Sequence, residues 1–306
     1  MPSRSSPENT SHTTIKSLAS RLSPLASRLA TFNSEAVDVP AMSSGEKRVV
    51  VTVGAGGEEV DAAVCAWLQE QEAVAVEKHG AFHIAVSGGG QPAVLERVVG
   101  GGAASGALHP EVWHVYLVDE RVYGAESEHS TAAALGGLLG LVAAHGAHMV
   151  DADVIAAAVA EGHCESAMDA VVASYTAVLD EFVAVKTADG IPVFDAVLLG
   201  MGPDGHTASL FPSSPLLAAT APVAYTVDSP KPPPQRITLT LPTINAAAAV
   251  AFLATGASKT PALARILTPD ARPDPQLPSS LVAPSAGSLT WLVDTAAVDG
   301  IDALDF

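Results

Sequence analysis

The sequence predicts an α/β protein built on a Rossmann-like, doubly wound, mostly parallel sheet with helices on both faces. Three observations carry this. Apolar, β-branched runs alternate with stretches of helical spacing, the order that yields parallel strands joined by crossover helices. The runs at 83–86, 113–118 and 194–199 are apolar almost throughout instead of alternating, as strands buried on both faces are. Two of these runs end in glycine-rich turns, Ser87-Gly88-Gly89-Gly90 and Gly200-Met201-Gly202-Pro203-Asp204-Gly205-His206. That places both turns at carboxyl ends of strands, where open α/β sheets bind ligands.

In chain order, residues 1–46 read as an N-terminal arm, rich in Ser, Thr, Ala and Pro, in which Arg4, Lys16, Arg21 and Arg28 outnumber Glu8 ahead of Glu35. Such a segment is either a disordered or partly helical arm or a targeting peptide, which is typically Ser- and Arg-rich and poor in acids. Arg21-Leu22 and Arg28-Leu29 fall short of an N-terminal peroxisomal signal, which needs His or Gln where Arg28 stands. Leu304-Asp305-Phe306 is not a peroxisomal tripeptide. Residues 47–306 read as a single α/β domain without internal repeats. Residues 48–53 predict a strand, 58–78 a helix with Val60, Val64, Trp67 and Leu68 on one face, and 83–86 the next strand. A helix over 91–99 opens with Pro92 in its first turn. Further strands are expected at 113–118, 194–199, 224–227, 236–241, 247–254 and 289–293. Helices are expected at 127–141, 152–160, 165–185 and 261–267, with Gly136 and Gly137 weakening the first. Residues 229–234 hold four prolines in six positions and must form a stiff loop. Ile237, Leu239 and Leu241 alternate with Thr238 and Thr240, the pattern of a half-exposed strand.

Nearly half of the 306 residues are apolar (48%) but only 5% are aromatic, so a sizeable core of small side chains in close-packed helices is expected. The net charge of −18 argues against nucleic acid and anionic membranes as partners, since phosphate backbones need clustered Lys and Arg. It leaves room for a small phosphorylated substrate, which needs only a few local cations and backbone N–H groups. Cys65 and Cys164 make no C-x-x-C pair or disulfide framework, so a reducing, cytoplasmic setting is the default, with organellar targeting by the arm as the alternative. No run of about 18 apolar residues is free of charge and glycine, so no membrane span is expected. A monomer or small homo-oligomer fits this composition.

The candidate chemistry gathers at strand ends. His206 follows a strand, lies in a glycine-rich loop and has Asp204 two residues earlier. A carboxylate there can fix the tautomer of an imidazole and stabilise its protonated form. If 207–210 opens a helix, its dipole would favour the neutral ring, the form a general base needs. Standing against this is an ordinary structural histidine. Ser87, Gly88, Gly89 and Gly90, between strand and helix, suit a phosphate cradle rather than a nucleotide loop, because no Gly-Lys-Ser/Thr or G-x-G-x-x-G follows; alone they could be a flexible turn. Asp119, Glu120 and Arg121 cluster at another strand end. Arg121 can hold a phosphate through its planar fork, and Asp119 or Glu120 could accept sugar hydroxyls or orient Arg121; a solvated turn is the alternative. Lys231 and Arg236 flank the prolines as candidate phosphate cations or loop-rim charges, with Lys259 weaker. Asn245 is expected to cap or tie the backbone. His163-Cys164 lacks a second ligand pair, so no metal is assigned. Ser209 and Ser213 lie outside G-x-S-x-G, which argues against an acyl-enzyme.

The segment D-A-V-L-L-G-M-G-P-D-G-H-T-A-S-L-F-P at 195–212 resembles the signature of the 6-phosphogluconolactonases, relatives of the glucosamine-6-phosphate deaminases. Four more stretches agree in order: V-S-G-G-G-Q-P from Val86, D-E-R-V from Asp119, S-P-K-P-P-P-Q-R-I-T-L-T-L-P-T-I-N from Ser229, and L-P-S-S-L from Leu277. The resemblance covers about residues 48–294. The resemblance implies hydrolysis of 6-phospho-D-glucono-1,5-lactone to 6-phosphogluconate, a step of the oxidative pentose phosphate pathway, with neither cofactor nor metal. Catalytic roles fall to His206 as base, Asp204 as its orienter and Arg121. Substrate and phosphate binding fall to Ser87, Gly88, Gly89, Gly90, Asp119, Lys231 and Arg236. Two other readings stay open. One is a glucosamine-6-phosphate deaminase, which usually carries H-I-A-F-N-E-P where this chain has H-T-A-S-L-F-P. The other is a non-catalytic phosphosugar sensor. Gly90 and Gln91 stand where the family often has Ser or Thr.

Overall fold

The computed structural model describes the backbone of residues 36–39 and 48–53 and the chain from 57 to 301, apart from 125–126, 144 and 269–270. Its strands are β1 (Ala36–Val39), β2 (Arg48–Val53), β3 (Phe82–Val86), β4 (Trp113–Leu117), β5 (Asp119–Arg121), β6 (Ala147–His148), β7 (Ala196–Gly200), β8 (Val223–Thr226), β9 (Arg236–Leu239), β10 (Ala249–Ala254) and β11 (Ser288–Asp294). Its helices are α1 (Gly57–His79), α2 (Gln91–Ser105), α3 (Thr131–Ala134), α4 (Gly136–Leu139), α5 (Ala152–Ala160), α6 (Glu165–Phe182), α7 (Leu241–Ala246), α8 (Thr260–Ile266) and α9 (Thr295–Val298).

One sheet runs in the order β1-β2-β11-β10-β7-β3-β4-β6 and is parallel except at the β1–β2 edge. From β3 the chain winds outward through β4 to β6, then returns to β7 on the other side of β3 and winds the opposite way through β10 to β11. The reversal falls between β3 and β7, the crevice where doubly wound sheets take their ligands. A second, antiparallel sheet, β5-β9-β8, continues from β4 and carries Asp119 to Arg121 at its rim. Helix α1 packs on β2, β3, β11 and α2, while α6 packs on β6, β8 and α5. Strands β7 and β10 are buried along almost their whole length, as the apolar runs foretold.

Several expectations change. Ala36–Val39, inside the expected arm, is a strand of the main sheet; the remainder of residues 1–46 lies outside the described residues. The helix expected over 127–141 divides into α3 and α4, with Gly137 letting α4 sit against Glu96 of α2. All four residues of β9 are buried, because its threonine face is covered by residue 209, whose N–H donates to Thr238 Oγ1 at 3.3 Å. The core is not only small side chains: Trp113, Trp291, Tyr116, Tyr175, Phe82, Phe194 and Phe252 are fully buried, with Phe252 and Trp291 stacked at 4.1 Å. Few aromatics are present, and among the described residues most of the large rings, Trp67 and Phe211 included, are buried.

At the amino-terminal edge of β3, β4 and β6, opposite the glycine turns, histidines form a row. His83 and His114 stack at 4.6 Å, and His114 and His148 at 5.0 Å. Tyr116 OH bonds His83 Nδ1 at 2.9 Å, and His114 Nδ1 meets His148 Nε2 at 2.7 Å. His79 and His145 flank the row, and Asp195 bonds the His79 ring and the His83 N–H.

Candidate active site

The loop after β7 is shaped by close contacts that only glycine permits. A Cβ on Gly202 would overlap the His206 ring and approach Asp204 Oδ1 within 2.5 Å. Gly205 has φ +76°, a left-handed turn glycine adopts without strain. Its carbonyl accepts from the N–H (2.9 Å) and hydroxyl (2.8 Å) of Ser279, so the L-P-S-S-L stretch buttresses the loop from beneath. Thr207 Oγ1 donates to the Gly200 carbonyl at 2.8 Å. Residues 207–210 form a tight turn and do not open a helix, so the condition for a helix dipole at His206 is not met.

His206 Nδ1 lies 2.5 Å from Asp204 Oδ1, and Lys231 Nζ lies 3.2 Å from Asp204 Oδ2. Lys231 Nζ is also 3.2 Å from His206 Nδ1. An ammonium cannot donate to a nitrogen that already carries a proton, so the arrangement assigns Nδ1–H to Asp204, pairs Lys231 with the carboxylate and leaves the Nε2 lone pair free. Burial lowers the His206 pKa; Asp204 pulls it back up and Lys231 presses it down. Burial alone would raise Asp204, but the hydrogen bond and charge of His206, with Lys231, outweigh it and hold the carboxyl at about 2. At neutral pH the pair is therefore a carboxylate beside a neutral imidazole. Side-chain exposure of 19% leaves the ring reachable.

Behind the dyad lies a second group. The His206 ring stacks on Phe211 at 4.8 Å, and the Arg236 guanidinium sits 5.6 Å from the Phe211 centroid on the way to Asp119. Arg236 is buried and donates to the carbonyls of Pro233 (3.0 Å), Lys231 (3.1 Å) and Pro232 (3.1 Å). It lies 3.9 Å from Asp119, whose Oδ2 accepts from Ser209 Oγ at 2.7 Å. Asp119 thus faces Ser209 and Arg236 and does not orient Arg121. Ser209 is wholly buried and supports Asp119. Burial lowers the Arg236 pKa, helped by Arg121 and opposed by Asp119.

The third group centres on Gly88. Ser87 N donates to Leu198 O across the β3–β7 crevice at 3.0 Å. A Cβ on Gly88 would stand 3.1 Å from Thr131 Oγ1 and 3.6 Å from Arg121 Nη1. Ser87 Oγ, Arg121 Nε and Thr131 Oγ1 are buried and have no hydrogen-bond partner among the described residues. Gly90 precedes α2 without a capping side chain, so the first N–H groups of this helix also lack one. Orphaned donors around a glycine notch at a helix start have the chemistry to receive an anion. Arg121 and Arg236 are cross-strand partners in β5 and β9, which ties this group to the second. Burial lowers the pKa of Lys259, at the start of α8; Lys231 lowers it further and Asp204 opposes, so Lys259 feels the charges beside the dyad.

Of the residues expected from sequence, the structure brings Asp204, His206 and Lys231 together, and separately Ser87, Gly88 and Arg121. It withdraws the fork of Arg236 into its own loop. Thr131, Phe211 and Gly202 were missed; the last had a signal, being one of three glycines in seven residues. His163 Nε2 contacts the Val122 carbonyl at 2.7 Å, and among the described residues no cluster of three or more His, Cys, Asp or Glu could hold a metal.

A family model described as glucosamine-6-phosphate isomerases/6-phosphogluconolactonase matches residues 56–291, which contain every group above. The chain belongs to this family. It is 38% identical over 254 residues to 6-phosphogluconolactonase of Bos taurus, covering 81% of this chain and 92% of that protein. It is 36% identical over 233 residues to a rice protein named "Probable 6-phosphogluconolactonase 3, chloroplastic", covering 75% of this chain and 69% of that one. Among solved structures, 6-phosphogluconolactonase from Leishmania guyanensis superposes with a TM-score of 0.72 at 28% identity, over 83% of this chain and 98% of that one. The glucosamine-6-phosphate isomerase/6-phosphogluconolactonase fold is therefore the one described here, including the mostly parallel sheet read from the sequence.

Proposed function

We propose that the protein hydrolyses 6-phospho-D-glucono-1,5-lactone to 6-phosphogluconate, with His206 as general base. The observation that carries this is the neutral imidazole whose Nδ1 is held by Asp204 and whose Nε2 is free. A water hydrogen-bonded to Nε2 gives up a proton as its oxygen attacks the lactone carbonyl. The oxyanion that forms lies toward the ammonium of Lys231, whose side chain is 40% exposed beside the dyad. As the bond between the carbonyl carbon and the ring oxygen breaks, the imidazolium returns its proton to that oxygen. Asp204 stays ionised throughout and steadies the imidazolium.

Ser87, the N–H groups of Gly88, Gly89 and Gly90, and Arg121 bind the phosphate; the unpartnered Ser87 Oγ and Arg121 Nε support this. Asp119 and Arg236 shape the pocket from behind, Arg236 by fixing the loop that carries Lys231. The test is His206→Ala, expected to lower kcat by roughly two to four orders of magnitude after correction for spontaneous lactone hydrolysis; an unchanged kcat rejects the assignment. Ammonia release from glucosamine 6-phosphate would instead favour the deaminase reading. Binding of 6-phosphogluconate without turnover of the lactone would favour a sensor. The chemistry needs no nucleic-acid or membrane partner. The cytoplasm is its expected compartment, and a plastid location, as the rice relative's name gives for that protein, would show as organellar retention of the full chain on fractionation.

A further inference from the structure

Glu120 is among the most buried charged side chains described, 1% exposed, and no cation pairs with it among the described residues. Its two oxygens accept from four donors: the N–H groups of Arg121 (2.7 Å), Thr131 (2.6 Å) and Ala132 (2.9 Å), and the hydroxyl of Ser130 (3.1 Å). Burying a carboxylate without a counter-ion is costly, and burial raises this carboxyl while its donors pull it back down. That arrangement persists where it organises its surroundings. Here one carboxylate closes a loop at both ends. It fixes Arg121 where the loop leaves β5 and Thr131 where the chain enters α3. Arg121 Nη1 in turn donates to His129 O at 3.0 Å, inside the same loop.

The residues so fixed carry two of the three orphaned polar atoms around Gly88, Arg121 Nε and Thr131 Oγ1. Thr131 is wholly buried, and its hydroxyl faces the notch where Gly88 has no side chain. We propose that Glu120 is the positioning residue of the anion cradle and that Thr131 Oγ1, held in place by it, is a further contact to the substrate's phosphate. This rests on the lactonase reading of the same site. A glutamine at 120 would keep the shape but offer one acceptor oxygen where two serve, turning an amide NH₂ toward N–H or O–H donors. Thr131→Val would remove the hydroxyl alone.

The test compares the phosphorylated lactone with unphosphorylated glucono-1,5-lactone, and adds inhibition by inorganic phosphate as a readout of the cradle. For Glu120→Gln and Thr131→Val, KM for the phosphorylated lactone and Ki for phosphate are each expected to rise roughly tenfold, the size of one lost hydrogen bond to a charged group. Turnover of the unphosphorylated lactone should change far less, and Thr131→Ser should recover most of the loss. A general structural defect would instead lower turnover of both lactones in parallel, and that result overturns the proposal. So does an unchanged KM and Ki in Thr131→Val, which decides the matter even where Glu120→Gln fails to fold. If the wild-type chain itself shows no preference for the phosphorylated lactone, the lactonase reading of the cradle fails, an outcome distinct from failure of these two residues alone.

Discussion

His206 Nδ1 stands 2.5 Å from Asp204 Oδ1, two residues away, and the main chain between them folds so tightly that Gly202 N–H donates to the His206 carbonyl at 2.8 Å. Orientation of the His206 ring is thus a local property of one loop, while its accessibility and its protonation state are set by what packs around it.

Asp204→Asn tests that orientation. The amide keeps the shape but cannot hold the Nδ1–H tautomer against an imidazolium, so kcat should fall by roughly two to four orders of magnitude. Because Asp204 raises the His206 pKa, its removal should also move the acid limb of the kcat/KM profile to lower pH. In the wild type, activity is present while His206 is neutral and is lost as pH falls through its pKa, which burial sets below the ordinary 6.5. Steady-state rates across pH for both proteins check both parts.

Gly202→Ala should abolish most activity while leaving the fold intact. The added methyl would occupy the place of the His206 ring, and the ring, being the mobile partner, would turn out of register with Asp204. A loss of at least a hundredfold in kcat with an unchanged circular dichroism spectrum is expected; near wild-type kcat would show that the loop relaxes instead.

Arg236→Lys should not behave as a conservative change. The planar fork spans the carbonyls of Lys231, Pro232 and Pro233, which one ammonium cannot do. The thermal midpoint should drop and kcat should fall several-fold, because Lys231 loses its fixed position. Direct phosphate binding by Arg236 would instead show as a rise in KM with little change in kcat.

Acid should destabilise the histidine edge of the sheet. Burial, then His114 and the neighbouring histidines, hold His83 and His148 at about 4, with Asp195 opposing at His83; burial and His145 lower His114. The groups facing them are His79 on α1, Tyr116 on β4, His145 before β6 and Asp195 before β7. A histidine with a depressed folded pKa takes up protons on unfolding, so stability is full above about 6.5 and declines as pH falls toward 4. Thermal midpoints from pH 7 to 4 should fall, and less steeply in His148→Gln; equal slopes would remove the row from acid lability.

The parts of this protein legible in sequence are those fixed by local pattern. Continuous apolar runs gave away the buried strands, and glycine turns marked their carboxyl ends. Asn245 ties the backbone as expected, donating to Leu281 O at 3.2 Å and accepting from Ala283 N at 2.8 Å. The errors share a cause. Thr238 and Thr240 look like solvent-facing positions, but Ser209, 29 residues from Thr238 in sequence, covers one of them and the fold buries both. Arg236 looks like a free cation until the prolines before it turn their carbonyls back toward it.

Residue order alone therefore determined the winding of the sheet, the two glycine turns and the pairing of Asp204 with His206, because each depends on neighbours within a few positions or on burial of whole segments. Only the tertiary structure decided which cations remain free, that Glu120 clamps Arg121 and Thr131, and that Ser279 props the loop carrying His206 from 74 residues away. A polar side chain's role is set by the hydrogen bonds left unmade after packing, and packing joins residues distant along the chain.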